Sequence, residues 1–490
     1  MKTPSILVAA ACATVIAAGS ALFAQAQPQG PSAKAVVMKG RAPVSKEVLR
    51  VKLPAPAEAD LANGAHLMVL EDRRAPQVTM QIFIPGAGGY FDPAGLSGLA
   101  GFTAAQMREG TKQWRTTQLN EELERLAASV TVGAGVSATE AVLTVSSLPE
   151  HLDRVMSIAA DVLLNPTFPE EEFARYKQRT RAGLVQQRSS PDFLAAEMAN
   201  KVMFDDHPAS RISVSAEALD KATRADLVAF HQAKYVPDHA AIAISGDISM
   251  AEARKLIDAK FGAWKRANAP VPEAGDPPAP GPSQVHFVAR PNSVQTNLIV
   301  TAPGISRTNR DYDVLSVMNQ IIGGGPTGRL FIILREEKGY TYGAYSNMNA
   351  PMYRGTWTAS TNVRTEVTDP ALRDLMAEVA RMREERVAPE DFEAAKRTMI
   401  ASFALGLESP GQVLNYHVTR WRYKLPANYW DTHPQRIMAV TAEQVQAAAK
   451  QYLDPSKLQV VAVGDASKVA EILAKYGSVV KYDAEGRIIK

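Results

Sequence analysis

The chain repeats itself. The segment Gln77-Val-Thr-Met-Gln-Ile-Phe-Ile-Pro-Gly86 returns as Gln295-Thr-Asn-Leu-Ile-Val-Thr-Ala-Pro-Gly304, so that Pro85 and Pro303 lie 218 positions apart. Thr223, Pro237 and Gly246-Asp247 recur as Thr441, Pro455 and Gly464-Asp465, each again displaced by 218. Between them, Pro169 to Phe173 and Pro389 to Phe392 correspond at an offset of 219 to 220, as a small insertion produces. Chance matches do not share one displacement, so the chain holds two homologous halves and its fold must be one that can be built twice. A length of 490 residues already exceeds what one hydrophobic core serves.

The junction is visible as a proline-crowded stretch from Ala267 to Ser283, with Pro270, Pro272, Pro277, Pro278, Pro280 and Pro282, which favours an extended, semi-stiff connector. The reading is therefore a first domain over 49–266, a linker over 267–283 and a second domain over 284–490. Each half has about 220 residues, an ordinary domain size. Within the first half, Val78 to Pro85 reads as a strand, and Leu119, Leu123, Leu126 and Val130 fall at helical spacing. Val132 to Leu148, with Gly133 and Gly135 and then alternating apolar residues, reads as paired strands. The half closes on an Ala240 to Ser245 strand ended by Gly246-Asp247. Segregated strands and helices predict an α+β class, with a mainly antiparallel sheet packed with helices in each half.

Ahead of these domains, one charge (Lys2), an apolar run from Ile6 to Phe23 and the small residues of Ala24-Gln25-Ala26 predict a secretory signal peptide over 1–26, followed by an extension over 27–48. The alternative is a retained anchor, although the Ala, Thr, Gly and Ser content makes the run weakly hydrophobic. Export predicts a periplasmic location without stable membrane insertion. The only cysteine, Cys12, sits inside this segment, so no disulfide can support the mature fold and core burial must stabilise it. Lys+Arg 54 against Asp+Glu 51 gives no electrostatic case for nucleic acid.

The segment Gly98-Leu-Ala-Gly-Phe-Thr-Ala-Ala-Gln-Met-Arg-Glu-Gly-Thr111 resembles the zinc helix of the M16 (pitrilysin/insulinase, inverzincin) peptidases. Active members carry H-x-x-E-H there, two histidines four apart on one helical face holding zinc and a glutamate activating water. The matching positions here are Gly101, Ala104 and Ala105. The family's third ligand, a glutamate on a later helix, aligns with Ala182 or Gly183, and Glu170, Glu171 and Glu172 lie about three helical turns earlier. The eight histidines, at 66, 151, 207, 231, 239, 286, 417 and 433, show no pair three or four apart, which favours scattered surface or capping roles. No metal is expected on this chain.

A second stretch, Gly323-Gly-Gly-Pro-Thr-Gly-Arg-Leu-Phe-Ile-Ile-Leu-Arg-Glu-Glu-Lys-Gly-Tyr-Thr-Tyr342, predicts a helix with Pro326 in its first turn, Leu330, Ile333 and Leu334 buried, and Gly339 as its stop. A polar strand pair, Tyr340 to Asn347 and Gly355 to Asn362, follows. No lysine and hydroxyl follow the glycines, which argues against a phosphate-binding loop. The stretch is similar to the M16 C-terminal domain signature, in which an arginine and a tyrosine seven residues later face the catalytic cleft; here they are Arg335 and Tyr342. The resemblance implies that Arg335 donates to a substrate carbonyl and that Tyr342 holds the scissile carbonyl as charge develops. Taken alone, a last-turn arginine also complements the helix dipole or pairs with Glu336 or Glu337, and a strand tyrosine often only packs. Gly323, Gly324 and Gly325 are similar to the flexible loop of the non-zinc subunit of mitochondrial processing peptidase, or form an ordinary turn.

The resemblance spans about Val51 to Val469. It implies two M16-type domains forming half of a clamshell, and a non-catalytic, substrate-binding subunit whose partner is a zinc-bearing M16 subunit with Zn2+ on that partner, the substrate being a peptide or unfolded polypeptide. Peptide binding by a homodimer and a scaffold role are the alternatives; autonomous zinc peptidase activity is disfavoured by three missing ligands and a missing base.

Overall fold

The duplication is repeated in the strand registers. The structure, a computed structural model, describes residues 47–489; the expected signal peptide, Cys12 and residues 27–46 of the extension lie outside the described residues. The first half contributes β1 (Ala57–Asp60), β2 (His66–Glu71), β3 (Val78–Pro85), β4 (Ser129–Ala134), β5 (Glu140–Ser147) and β6 (Ala241–Gly246). The second contributes β7 (Gln284–Ala289), β8 (Gln295–Pro303), β9 (Thr341–Asn349), β10 (Thr356–Arg364), β11 (Gln459–Gly464), β12 (Val479–Tyr482) and β13 (Ile488–Ile489). They form two sheets, β1-β2-β6-β3-β5-β4 and β13-β12-β7-β11-β8-β10-β9. His66 pairs with Ala241 in the parallel β2–β6 ladder, and Gln284 pairs with Gln459 in β7–β11, both residues displaced by 218. Phe83 opposite Ala241 and Thr301 opposite Gln459 repeat the antiparallel neighbour at the same offset. The fold is α+β. The first sheet is mainly antiparallel, whereas the second is more mixed than expected because β7 runs parallel to both β11 and β12.

One face of each sheet carries the main core of its own half. In the first, Val78, Met80, Ile82 and Ile84 meet Phe102, Leu119, Val155 and Ile257; in the second, Leu298, Val300 and Ala302 meet Leu315, Leu334, Leu375 and Val445. The central strands are apolar on their other face too, which requires a second covering layer. That layer comes from the opposite half. The Pro191–Phe204 helix of the first half lays Leu194, Ala195, Met198 and Ala199 on Val288, Val461 and Val463 of the second sheet. The Pro410–Arg422 helix of the second half lays Val413, Leu414 and Val418 on Met68, Leu70, Ala241 and Ala243 of the first. Both helices start alike, with Ser190 and Ser409 accepting from the backbone N–H of Phe193 and Gln412, and with Pro191 and Pro410 as first helical residues. Full burial of a Leu or Met side chain contributes roughly 1.5–3 kcal/mol, so these two helices hold the halves together. The halves are thus not self-contained consecutive domains.

The proline-rich stretch is likewise no free connector. Asp238 accepts from Ala267 N, Gly275 O accepts from the Tyr90 hydroxyl at 2.9 Å, Asp276 accepts from Arg354 N at 2.7 Å, and Gly281 and Pro282 carbonyls accept from the Gln459 amide at 3.0 Å. It is bonded along its length to both halves.

Three local expectations need correction. Val130 belongs to β4 rather than to the preceding helix, which ends at Arg125 as the chain turns through Ala127 at φ 47°. The first half does not close on a strand: after β6, Ser249 and Glu252 form a capping box that opens the Met250–Phe261 helix. Pro326 precedes its helix, which begins at Arg329 with Gly328 as N-cap. Among the described residues no helix is long and apolar enough to cross a membrane.

The exchange predicts that Leu194→Ala, in the first half, costs roughly 2–5 kcal/mol in an unfolding experiment on the whole chain, as a cavity in a shared core should. Residues 47–283 expressed alone should bind a hydrophobic dye or aggregate; a monomeric fragment with its own cooperative unfolding transition would contradict the exchange.

Candidate functional site

An exchanged helix covers only part of its target sheet. On the second sheet, the Pro191–Phe204 helix packs over β7, β11 and β8 and leaves the β10–β9 end bare, and an open pocket of about 1110 Å³ occupies the space. Strand alternation makes its floor polar except at Ile299: Gln295, Asn297 and Ile299 on β8 and Ser360, Asn362 and Arg364 on β10 face the pocket, while Ala359 and Val363 face the core. Asp192 and Ala195 of the exchanged helix form one wall, and Arg335, Tyr342 and Tyr345 another. β9 is the last strand of the sheet, so its outer edge keeps backbone N–H and C=O groups that no strand of the sheet pairs.

Arg335 stands on a π-helical turn, Ile332–Glu337, that continues from Arg329–Phe331; Lys338 N donates to Ile333 O at 3.1 Å, and Gly339 at φ 61° ends it. Such widened turns are enriched at functional sites. Leu330 and Leu334, both fully buried, anchor this turn to the core, and Ile333 is half-buried. The Arg335 guanidinium lies 5.7 Å from the Tyr342 ring centroid and 5.9 Å from that of Phe331. Its nearest carboxylate is Glu336 at 3.7 Å, outside hydrogen-bond reach. Tyr342 is 94% exposed, and Tyr345 packs on Phe331 at 5.5 Å. A tyrosine that only filled space would be buried. The structure therefore brings Arg335 and Tyr342 together on one pocket, with the arginine donors available to an incoming acceptor.

Gly323, Gly324 and Gly325 are not brought there. Gly323 O accepts from Ser346 N at 2.8 Å, and a Cβ on Gly323 would stand 2.6 Å from that nitrogen; a Cβ on Gly324 would stand 2.8 Å from Gln320 Cα. Gly323 permits a close approach of the loop to β9 and Gly324 a close approach to the preceding helix, which is the packing reading. A Cβ on Gly325 would meet only the Gln320 amide nitrogen, at 3.8 Å.

The helix that resembles the zinc helix runs from Leu99 to Gln106. The Asp92 carboxylate accepts from Gly98 N at 2.6 Å and Ala100 N at 2.8 Å at its start. Burial pushes the Asp92 carboxyl up to about 6, against the opposing pull of those two N–H groups and of Arg211. Ala104 is 1% exposed, and Gly101 and Ala105 are half-buried. A ring contact between Phe102 and Tyr176, at 6.0 Å, sets the Glu170–Arg188 helix alongside, where Ala182 is exposed. Hydrogen and methyl offer no lone pair, so the residues at 101, 104, 105 and 182 do not fit a zinc ion. Among the described residues no group of three or more His, Cys, Asp or Glu could hold a metal. The histidines are more buried than a surface role implies: His231 bonds Leu163 O at 2.8 Å, His286 bonds Tyr482 and Gln459, and His433 is pushed down to about 4 by burial. His207 does stand in a turn, its Nδ1 accepting from Ala209 N.

Sequence reading missed Asp192, Asn297 and Asn362. Asn297 and Asn362 both donate to one carboxylate oxygen of Asp192, the latter at 2.9 Å, although the three residues are far apart in the chain. Thr103 and Gln106, both fully buried on the Leu99–Gln106 helix, have side-chain atoms without a hydrogen-bond partner among the described residues.

Two outcomes follow from the first-half helix. The folded-state pKa of Asp92 lies above its ordinary value of 3.8, so its contribution to stability is complete below about pH 3.8 and is lost as pH rises through about 6. Asp92→Asn lacks that loss: relative to the parent it should gain up to about 3 kcal/mol between pH 4 and pH 7, read by denaturant unfolding across pH. Exhaustive chelation should leave the unfolding midpoint unchanged, and elemental analysis should find no stoichiometric zinc.

Comparison with known proteins agrees with the fold. The sequence profile described as "Insulinase (Peptidase family M16)" matches residues 67–216, and "Peptidase M16 inactive domain" matches 221–399. "Uncharacterized zinc protease YmxG" of Bacillus subtilis (strain 168) is 21% identical over 391 residues, covering 79% of this chain and 93% of that protein. "Non-peptidase homolog YmxG" of Helicobacter pylori is 22% identical over 405 residues, covering 81% and 91%. A crystal structure described as a peptidase M16 inactive domain from Pseudomonas fluorescens superposes with a TM-score of 0.77 at 27% identity over 84% of this chain and 98% of that one. A Helicobacter pylori protein described as a protease matches at TM-score 0.77 and 15% identity, over 84% and 100%, a likeness of fold alone. The names of these relatives divide between zinc protease and non-peptidase homolog. With both profiles matched in order across the two sheets, the chain belongs to the M16 (insulinase) peptidase family and is a member without the family's metal-ligating residues.

Proposed function

We propose that this chain is the non-catalytic, substrate-binding subunit of a heterodimeric M16 zinc metallopeptidase that cleaves peptides or unfolded polypeptides. One observation carries the reading: Arg335, with no carboxylate in hydrogen-bond reach, and Tyr342, almost wholly exposed, line an open pocket beside a sheet edge that no further strand covers, while the zinc-motif positions of the same chain hold no donor or base. An extended peptide laid along β9 pairs its backbone with the strand edge. Arg335 then donates to a peptide carbonyl, and the Tyr342 hydroxyl donates to a carbonyl oxygen that gains charge during bond cleavage. Both contacts are to backbone, so they tolerate many sequences. The metal and the attacking water belong to a zinc-bearing M16 partner closing over this pocket as the other half of a clamshell. The leader-like N-terminal sequence supports a periplasmic location for the pair, which cell fractionation can check.

The test mixes the purified chain with a candidate partner carrying H-x-x-E-H and follows peptide cleavage. Each chain alone should be inactive or weak, and the mixture active. Arg335→Ala in this chain should lower kcat/KM of the mixture about a hundredfold, and Tyr342→Phe should lower kcat more than it raises KM. Partner activity indifferent to this chain and to both substitutions would defeat the reading and favour a non-proteolytic role, in line with the printed name of the Helicobacter pylori relative.

A further inference from the structure

The two halves serve as controls for each other. Asn297 pairs with Val463 across β8–β11 and with Asn362 across β8–β10; Thr79 pairs with Ser245 across β3–β6 and with Ser146 across β3–β5. Thr79 and Ser146 are therefore the first-half counterparts of Asn297 and Asn362. By the shared Ser-Pro helix starts, Gly411 is the counterpart of Asp192. A smaller pocket of about 390 Å³ at the first-half position is lined by Thr79, Ser409, Pro410 and Gly411; its acids, Asp72 and Glu408, stand at other positions, so the acid held by two amides has no positional equivalent there. The exchange of helices works with glycine, threonine and serine at these places, so it does not require an aspartate held by two asparagines.

What the second half has built is a carboxylate without a cation. One Asp192 oxygen, Oδ1, takes the amides of Asn297, which is 4% exposed, and Asn362; the other accepts no hydrogen bond from the described residues. Asn297 Nδ2 also donates to Asn362 Oδ1 at 2.8 Å, which locks the amide pair. No Lys, Arg or His among the described residues forms an ion pair with Asp192: of the two arginines on the same pocket, Arg364 bonds Glu366 and Gly339 O, and Arg335 lies against Phe331 and Tyr342. Among the described residues Asp192 is the only acidic side chain lining the pocket. A carboxylate fixed in place, facing a cavity and lacking an ion-pair partner among the described residues, is complementary to a bound cation.

We propose that Asp192, oriented by Asn297 and Asn362, is a subsite for a positively charged group of the bound peptide, an ammonium or a guanidinium. The proposal rests on the peptide-binding reading above. It adds selectivity to contacts that Arg335 and Tyr342 make with backbone alone, and it makes the first half contribute to recognition on the second-half sheet through the exchanged helix. The cation can be a basic side chain or the free α-amino group of the peptide.

The experiment uses the full chain and three short fluorescein-labelled peptides of otherwise identical sequence, followed by anisotropy. One is N-acetylated with a single lysine, one N-acetylated with norleucine in its place, and one carries norleucine with a free N-terminus. The lysine peptide, the free-amine peptide or both should bind about tenfold more tightly than the neutral peptide, and which does so identifies the source of the cation. Asp192→Asn retains an oxygen for the two amides, so it should keep the unfolding midpoint and abolish the discrimination. Discrimination that survives Asp192→Asn overturns the proposal, as does equal binding of all three peptides. A lowered midpoint with all peptides weakened alike assigns Asp192 to holding the helix only, and also overturns it. Arg335→Ala should weaken all three equally; if none binds even to the parent chain, the peptide-binding reading itself has failed and this inference with it.

Discussion

The reciprocal exchange of one helix between the halves is the contact on which the rest of the molecule depends. Each sheet has central strands that are apolar on both faces, and each half supplies a helix whose apolar face points away from its own main core. Neither half can bury these surfaces alone, and both do so when the helices cross. The consequence is a single unit with two pseudo-equivalent cores and three shared ones, the third joining Tyr90, Met203 and Phe204 to Tyr353, tied further by the proline-rich strap bonded to both halves. Because the exchanged helix is shorter than the sheet is wide, it leaves one end of the outer face open, and the pocket is that uncovered end.

Duplication followed by divergence explains how one backbone plan carries two different chemistries. The inward positions of the two sheets remain apolar and interchangeable in kind, since their only task is packing. The outward positions at the open end are under no such constraint, and there the halves differ: Thr79, Ser146 and Gly411 in one, Asn297, Asn362 and Asp192 in the other. The helix that resembles the zinc helix shows the opposite process. It is a regular helix capped by Asp92 and packed through Phe102, while the positions matching the family's metal ligands hold glycine and alanine. Loss of ligands costs the fold nothing when small residues fill the same places.

Much of this was legible in the residues. The common offset of 218 foretold two sheets with matching registers, and β3 runs over Val78–Pro85 as its alternation implied. The uninterrupted apolar runs Ala241 to Ile244 and Val460 to Val463 carried a further signal, since a strand apolar on both sides must be covered on both sides. Which helix does the covering was not legible, because Leu194 and Met198 have the same spacing whether they pack on their own half or on the other. Val130 was misplaced for a related reason: helical spacing continued in the sequence past the turn at Ala127, where backbone geometry ended the helix. The Asp192 cluster had only a faint trace, an acid and two amides where the repeat has glycine and hydroxyls, and no local pattern joins residues so far apart.

The sequence by itself determined the family, the duplication and the absence of metal-binding chemistry at 101, 104 and 105, because those rest on residue identity and on spacing along one chain. Tertiary structure alone decided that the halves interlock, that Arg335 faces Tyr342 without a carboxylate in hydrogen-bond reach, and that Asp192 of one half stands over the sheet of the other. The physical reason is that side-chain periodicity specifies which face of an element is buried but not against what; the partner is chosen by the summed burial of the whole chain.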